Sequence, residues 1–197
     1  MSEQERVFNL PNVITLLRIA AVPGVAWLIL QQRWEAACWL FLAAAVSDGI
    51  DGLLARWLNQ MTQLGAALDT VADKALGVVT LVMLTQAGAI PLWVTLAILL
   101  RDSIIVLGAL SYRGLAGHLE IHPTWLGKTH MFAEFSLLAL VLGGLAGVLA
   151  LEAWLLPLFV LVFAIAMLSG VQYVWIWGAK ARRERETVRF NRPDGAP

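Results

Sequence analysis

Four aspartates stand as two pairs in one short stretch of this chain: Asp48 with Asp51, and Asp69 with Asp73. Residues three or four apart share a face of a helix, so each pair makes a carboxylate stripe. Gly52 lies one turn after Asp48 and Gly65 one turn before Asp69, so a position without a side chain flanks each stripe. A turn at Asn59-Gln60 would fold the two helices into an antiparallel pair and bring the stripes together. Four facing carboxylates repel one another, and a hard divalent cation removes the repulsion. Mg²⁺, Mn²⁺ and Ca²⁺ all prefer oxygen ligands, and Mg²⁺ is commonly held by carboxylates together with a substrate's phosphates. The glycines would let a flat or bulky ligand approach the backbone, and Arg56, on the turn after Asp51, is placed to meet an anion. A lone acid at a helix end is simply solvated. Four on paired faces, flanked by long apolar runs, mark a functional site, because ionisable groups in such segments are costly.

The elements that must position these residues are apolar. Of 197 residues 59% are hydrophobic and only 14% charged, against about 25% charged in soluble domains. A soluble chain of this length could not bury so much apolar surface, so the composition implies an all-α integral membrane protein. Net charge is zero, which gives no sign of a nucleic-acid partner. Cys38 is the single cysteine, set in an apolar run, and is read as packing. No small-residue cleavage site follows the first apolar segment, so an uncleaved first helix is expected.

A helix needs about 20 residues to cross the hydrocarbon. Six segments qualify: roughly Val13–Leu30, Trp34–Trp57, Leu64–Ala87, Leu92–Tyr112, Thr129–Leu151 and Leu155–Trp177. Breakers separate them at Gln31-Gln32-Arg33, Asn59-Gln60, Gly88 to Pro91, Gly114 to Pro123, and Glu152 with Pro157 beyond it. No internal repeat is seen. In a six-span bundle, Arg6, Arg18, Arg56, Lys74, Arg101, Arg113, Lys128, Lys180, Arg182, Arg183, Arg185, Arg189 and Arg192 fall on the side of the termini and only Arg33 on the other. That asymmetry places both termini, and the Asp48–Asp73 segment, on the cytoplasmic side. Residues 1–179 read as one six-helix membrane domain. Residues 180–197 read as a charged cytoplasmic tail, a solvated helix extension that frays, with anionic headgroup binding as a possible addition. Trp34, Trp57, Trp93, Trp125, Trp154 and Trp177 near the span ends fit an interfacial belt.

The string Asp48-x2-Asp51-Gly52-x2-Ala55-Arg56-x8-Gly65-x3-Asp69-x3-Asp73 resembles the complete signature of the CDP-alcohol phosphotransferases, eight fixed positions at fixed spacing. The resemblance covers most of the chain, since the six-helix plan and the opening "NLPNVITLLR" also fit. It implies a site for two divalent ions, Mg²⁺ or Mn²⁺, that binds CDP-diacylglycerol and transfers its phosphatidyl group to an alcohol with release of CMP. It further implies that Asp48, Asp51, Asp69 and Asp73 are metal ligands and that Asp73 is also the general base for the acceptor hydroxyl. Gly52, Ala55 and Gly65 would accept the cytidine and Arg56 the phosphates. A homodimer, and a bacterial inner membrane with the site facing the cytoplasm, are implied in the same way. Related sequences commonly carry Pro where this chain has Thr70, outside the required pattern.

The acceptor is less directly written. Asn12 and Thr15 share a face near the cytoplasmic mouth and could bond the diphosphate or ribose, while Asn12 after Pro11 also reads as a helix cap. Arg18 is deeper and needs an anion, either an aspartate or a lipid phosphate. Arg101 could reach an acceptor phosphate or an acid on another helix. Arg101 and Asp102 are adjacent and point to different faces, so no mutual salt bridge is expected. Lys128 could hold a phosphate or serve as a topology-setting loop cation. His118, His122 and His130 lack convincing metal spacing, and Glu134, four after His130, is read as its polar partner lining a cavity. Arg101-Asp102 and "HPTWLGKTHMFAEF" look most similar to eukaryotic-type cardiolipin synthases, whose acceptor is phosphatidylglycerol. "NLPNVITLLR" and "WLGK" are equally at home in phosphatidylglycerophosphate synthases, whose acceptor is glycerol 3-phosphate. A transporter would place its acids near the midplane, and the aspartate-rich membrane prenyltransferases resemble bundles of about nine helices where this chain has room for six.

Overall fold

The computed structural model describes the backbone over residues 10–57, 63–116 and 124–190, and side chains over residues 15–47, 71–110 and 124–178. Among the described residues the chain is all-helical, with six helices: α1 Leu10–Leu30, α2 Trp34–Trp57, α3 Gln63–Gln86, α4 Leu92–Ala116, α5 Trp125–Leu145 and α6 Glu152–Phe190. By length and composition two of them are apolar enough to cross a membrane, over Leu92–Leu110 and Glu152–Gly178. Thr15–Leu30 and Trp34–Ser47 are shorter apolar stretches. The proposed turn at Asn59-Gln60, His118, His122 and the end of the tail lie outside the described residues.

Three turns are closed by residues in the left-handed region. Gln32 has φ 54°, and its neighbour Arg33 donates to the Leu28 carbonyl at 2.9 Å. Gly88 has φ 76°, with Ala89 donating back to Leu84 at 2.9 Å. Gly147 has φ 73°, with Val148 donating to Gly143 at 3.0 Å. These are C-terminal caps that satisfy the last helical carbonyls. The third corrects the expected fifth span: α5 stops at Leu145 instead of running to Leu151, because Gly147 takes the conformation that ends a helix. The same helix starts earlier than Thr129, because the Thr124 side chain accepts from the Gly127 N–H at 3.1 Å and caps it. Pro157, expected as a breaker, lies inside α6, where it removes the hydrogen bond that would have gone to the Ala153 carbonyl. Past residue 179, α6 continues as helix to Phe190.

Packing divides the bundle into two halves. The buried apolar core includes Val25 and Ile29 of α1, Ala37 and Phe41 of α2, Leu76, Leu81 and Leu84 of α3, Val94 and Ile98 of α4, Leu137, Leu138, Val141 and Leu142 of α5, and Val162 and Ala166 of α6. The other half holds most of the buried polar residues: Thr15, Arg18, Asp73, Arg101, His130, Glu134 and Ser169. Each helix that contributes to both crosses from one half to the other within about two turns. Phe41 and Phe135 stack near the boundary, 5.8 Å between ring centroids. α1 packs chiefly on α2 and α3, and α6 on α4 and α5. α3 meets α4 and α5 along much narrower contacts. Many large apolar side chains face outwards, among them Leu16, Trp39, Leu96, Leu107, Phe132, Leu161 and Trp175.

Candidate active site

Asp48, Asp51, Gly52, Ala55 and Arg56 fall on the last three turns of α2, and Gly65, Asp69 and Asp73 on the first half of α3. Both stretches are helical and the two helices touch, so the three- and four-residue spacings keep each carboxylate pair on one face. The side chains of those positions lie outside the described residues, except that of Asp73. So does that of Asn12. Among the described residues no cluster of three or more His, Cys, Asp or Glu could hold a metal. Four carboxylates from two touching helices are nevertheless an all-oxygen donor set, which suits a hard divalent ion.

Asp73 is buried between α1 and α3. Its Oδ1 accepts from Arg18 Nη1 at 3.0 Å. Arg18 is fully enclosed, so a charge that would be prohibitive alone is compensated by the last carboxylate of the signature. Among the described residues, an aspartate thus meets Arg18. Thr15, one turn earlier on α1, is also buried.

A second polar cluster lies beside the first. Lys74 Nζ meets Asp102 Oδ2 at 2.5 Å, and Arg101 Nη1 meets Asp102 Oδ1 at 2.6 Å. The expectation that Arg101 and Asp102 would not pair is wrong. The Cα–Cβ bonds do diverge, but the long arginine side chain curls back far enough to bring its guanidinium to the adjacent carboxylate. Arg101 Nε and Nη2 also donate to Ser169 Oγ on α6 at 3.3 and 3.2 Å. The guanidinium carbon lies 5.8 Å from the centre of the Tyr173 ring, a cation–π contact. The Tyr173 hydroxyl in turn accepts from the Thr124 N–H at 3.5 Å. Gly127 permits this approach: a Cβ there would sit 3.0 Å from the Tyr173 hydroxyl and 3.2 Å from Thr124 Oγ1.

His130 and Glu134 complete the polar layer, with Nδ1 and Oε2 3.7 Å apart. Both are buried, so the pair sits within the helix packing. Lys74, Arg101 and Asp102 act on both electrostatically. Glu134 faces Gly77, where an added Cβ would be 3.4 Å from Oε1. Lys128, by contrast, is exposed on the first turn of α5. Lys74, Asp102, Ser169 and Tyr173 were not singled out as site residues from the sequence. The adjacency of Lys74 to Asp73, and of Asp102 to Arg101, were the local signals that could have drawn attention to them.

A family model described as CDP-alcohol phosphatidyltransferase matches residues 8–179. The chain is 39% identical to a cardiolipin synthase (CMP-forming) of Streptomyces coelicolor over 53% of its own length and 51% of that protein. It is 35% identical to a CDP-diacylglycerol–glycerol-3-phosphate 3-phosphatidyltransferase of Cereibacter sphaeroides, over 70% of this chain and 64% of that one. It is 34% identical to a probable phosphatidylglycerophosphate synthase of Mycobacterium tuberculosis, over 93% and 87% of the two chains. The match to the Streptomyces coelicolor protein thus spans about half the length of each partner.

Proposed function

This chain belongs to the CDP-alcohol phosphatidyltransferase family, and on that premise we propose that it transfers the phosphatidyl group of CDP-diacylglycerol to phosphatidylglycerol, giving cardiolipin and CMP. The observation that carries the reading is the position of Asp73. It is buried, held by Arg18, and stands on the face of α3 that carries Asp69.

Asp73 takes the proton of the acceptor hydroxyl as the hydroxyl oxygen bonds to the phosphatidyl phosphorus and the phosphorus–oxygen bond to CMP breaks. Arg18 fixes the carboxylate for that role. Asp48, Asp51, Asp69 and Asp73 would hold two ions, Mg²⁺ or Mn²⁺, which when bound neutralise the diphosphate and the departing CMP. Gly52, Ala55 and Gly65 leave room for the cytidine, and Arg56 meets the phosphates. Asn12 and Thr15 line the α1 side of the donor. Arg101 serves the acceptor side from behind, its donors taken up by Asp102 and Ser169. Lys128 meets the acceptor's phosphate. A cation on the first turn of α5 opposes the helix dipole, so helix stability does not account for it.

A second reading keeps the donor and the metals and makes glycerol 3-phosphate the acceptor. Its support is the extent of the match to the Mycobacterium tuberculosis protein. Either way, the protein is proposed to cross a bacterial inner membrane six times, with both termini and the site on the cytoplasmic side. Residues 1–179 form the catalytic domain, residues 180–197 a charged extension, and the working unit is a homodimer. Outward-facing leucines and tryptophans and the distribution of basic residues support that arrangement.

The test is CMP release by purified protein with Mg²⁺ or Mn²⁺ and CDP-diacylglycerol, offering phosphatidylglycerol and glycerol 3-phosphate separately. A four-chain product with phosphatidylglycerol supports the first reading, and release only with glycerol 3-phosphate the second. Failure to bind CDP-diacylglycerol would overturn both.

A further inference from the structure

Asp73 and Lys74 are neighbours on α3, so their side chains leave the helix about 100° apart. Asp73 is tied to Arg18 of α1 at 3.0 Å, and Lys74 to Asp102 of α4 at 2.5 Å. The two ties pull in different directions around the helix axis. Asp102 is anchored in turn: its other oxygen takes Arg101 at 2.6 Å, and Arg101 is fastened to Ser169 and Tyr173 of α6.

We propose that Asp102 is a positioning residue, which through Lys74 sets the rotation of α3 about its axis and so the direction of the signature carboxylates that α3 carries. The packing makes such a tie necessary. α3 is broadly seated on α1 but meets α4 and α5 along narrow contacts. On the α5 side it presents Gly77, which offers no side chain to lock against Glu134 and Phe135. The buried leucines that hold α3 in the core, Leu76, Leu81 and Leu84, all lie beyond Asp73 along the helix, so the ion pair on the α4 side is the restraint on that side nearest the signature carboxylates. A small roll matters because a misplacement of about 1 Å at a reacting group can cost about 100-fold in rate. The Lys74 side chain is 50% exposed, and ion pairs of that kind add little to stability. The tie is thus expected to show in turnover far more than in unfolding.

The inference rests on the phosphatidyl-transfer reading, and its test separates the two. Turnover is measured on purified full-length protein with Mg²⁺, CDP-diacylglycerol and whichever acceptor the parent uses, alongside thermal unfolding in the same detergent. Asp102→Asn and Lys74→Met are each expected to lower kcat about 10- to 100-fold with KM for CDP-diacylglycerol close to the parent's. The unfolding midpoint should stay close to the parent's in Lys74→Met and fall in Asp102→Asn, which also takes the carboxylate from the buried Arg101. The double variant should be no worse than the worse single one, and Lys74→Arg should recover most of the rate. Parent-like kcat in Asp102→Asn, or losses that multiply in the double variant, would overturn the inference. If Asp102→Asn does not fold, the decision passes to Lys74→Met, where parent-like kcat overturns it equally. A parent protein that releases no CMP with any acceptor would instead sink the phosphatidyl-transfer reading.

Discussion

Arg18 of α1 and Asp73 of α3, 55 residues apart in sequence, meet at 3.0 Å with the arginine side chain fully enclosed. Breaking a buried pair by removing one partner strands the other, at about 3–5 kcal/mol. Arg18→Ala is therefore expected to destabilise the fold by about that amount, and Arg18→Lys, which keeps the charge, by less. Reversible unfolding of detergent-solubilised protein measures both. An Arg18→Ala variant as stable as the parent would show that Asp73 is compensated some other way.

Asp73→Asn keeps the shape of the side chain and removes its basicity. CMP release should be lost while CDP-diacylglycerol binding is substantially retained, since the other proposed ligand positions and the residues proposed to accept the cytidine are untouched. Titration of the donor onto the variant, beside a turnover assay, checks both halves. Loss of binding together with turnover would reduce Asp73 to a structural role.

Removal of divalent metal with a chelator should abolish CMP release, and Mg²⁺ or Mn²⁺ should restore it. Asp48→Asn or Asp69→Asn should raise the metal concentration needed for half-maximal rate, as expected when one carboxylate leaves a shared ion site. Activity that survives exhaustive chelation would contradict an ion held by the two aspartate stripes.

Lys128→Met should raise KM for the acceptor and leave KM for CDP-diacylglycerol near the parent value, because Lys128 stands on α5, outside the α2–α3 signature proposed to hold the donor. Steady-state kinetics with each substrate varied in turn provide the comparison. A selective rise in the donor KM would place Lys128 on the other half of the reaction.

Close packing of α4 on α6 depends on Gly108, where a Cβ would come 2.7 Å from the Trp177 ring. Overpacking of this kind costs about 1–3 kcal/mol, so Gly108→Ala should destabilise the protein and Trp177→Leu in the same background should recover part of the loss. Gly170→Ala is the contrast, since its nearest neighbour, Arg101 Cγ, would be 3.7 Å from the new Cβ. Unfolding midpoints of the three variants decide the matter.

Much of this molecule is local and therefore legible. Apolar runs of about 20 residues and the breakers at Gln31–Arg33 and Gly88–Pro91 located the helices to within a few residues, because span length and turn chemistry are properties of short windows. The exception was instructive. Gly143 to Gly147 reads equally well as a packing surface and as a stop, and only the backbone angle at Gly147 distinguishes them. The pairing of Arg101 with Asp102 was missed for a related reason. Side-chain direction at Cα follows from the helix repeat, but the path of a long, flexible side chain is set by what surrounds it.

The sequence by itself determined that this chain forms apolar helices and that Asp48, Asp51, Asp69 and Asp73 fall into two same-face pairs, because helix periodicity acts over three or four residues. Only the tertiary structure decided which cation each described carboxylate meets: Arg18 for Asp73, and Lys74 with Arg101 for Asp102. In the sequence Lys74 counted only as one more basic residue in the charge asymmetry, while Arg18 stood between an aspartate and a lipid phosphate, and Arg101 between an acceptor phosphate and an acid on another helix. The partners of Arg18 and Lys74 stand on helices that meet only when the bundle closes, and no window of sequence encodes which helix lies across the interface.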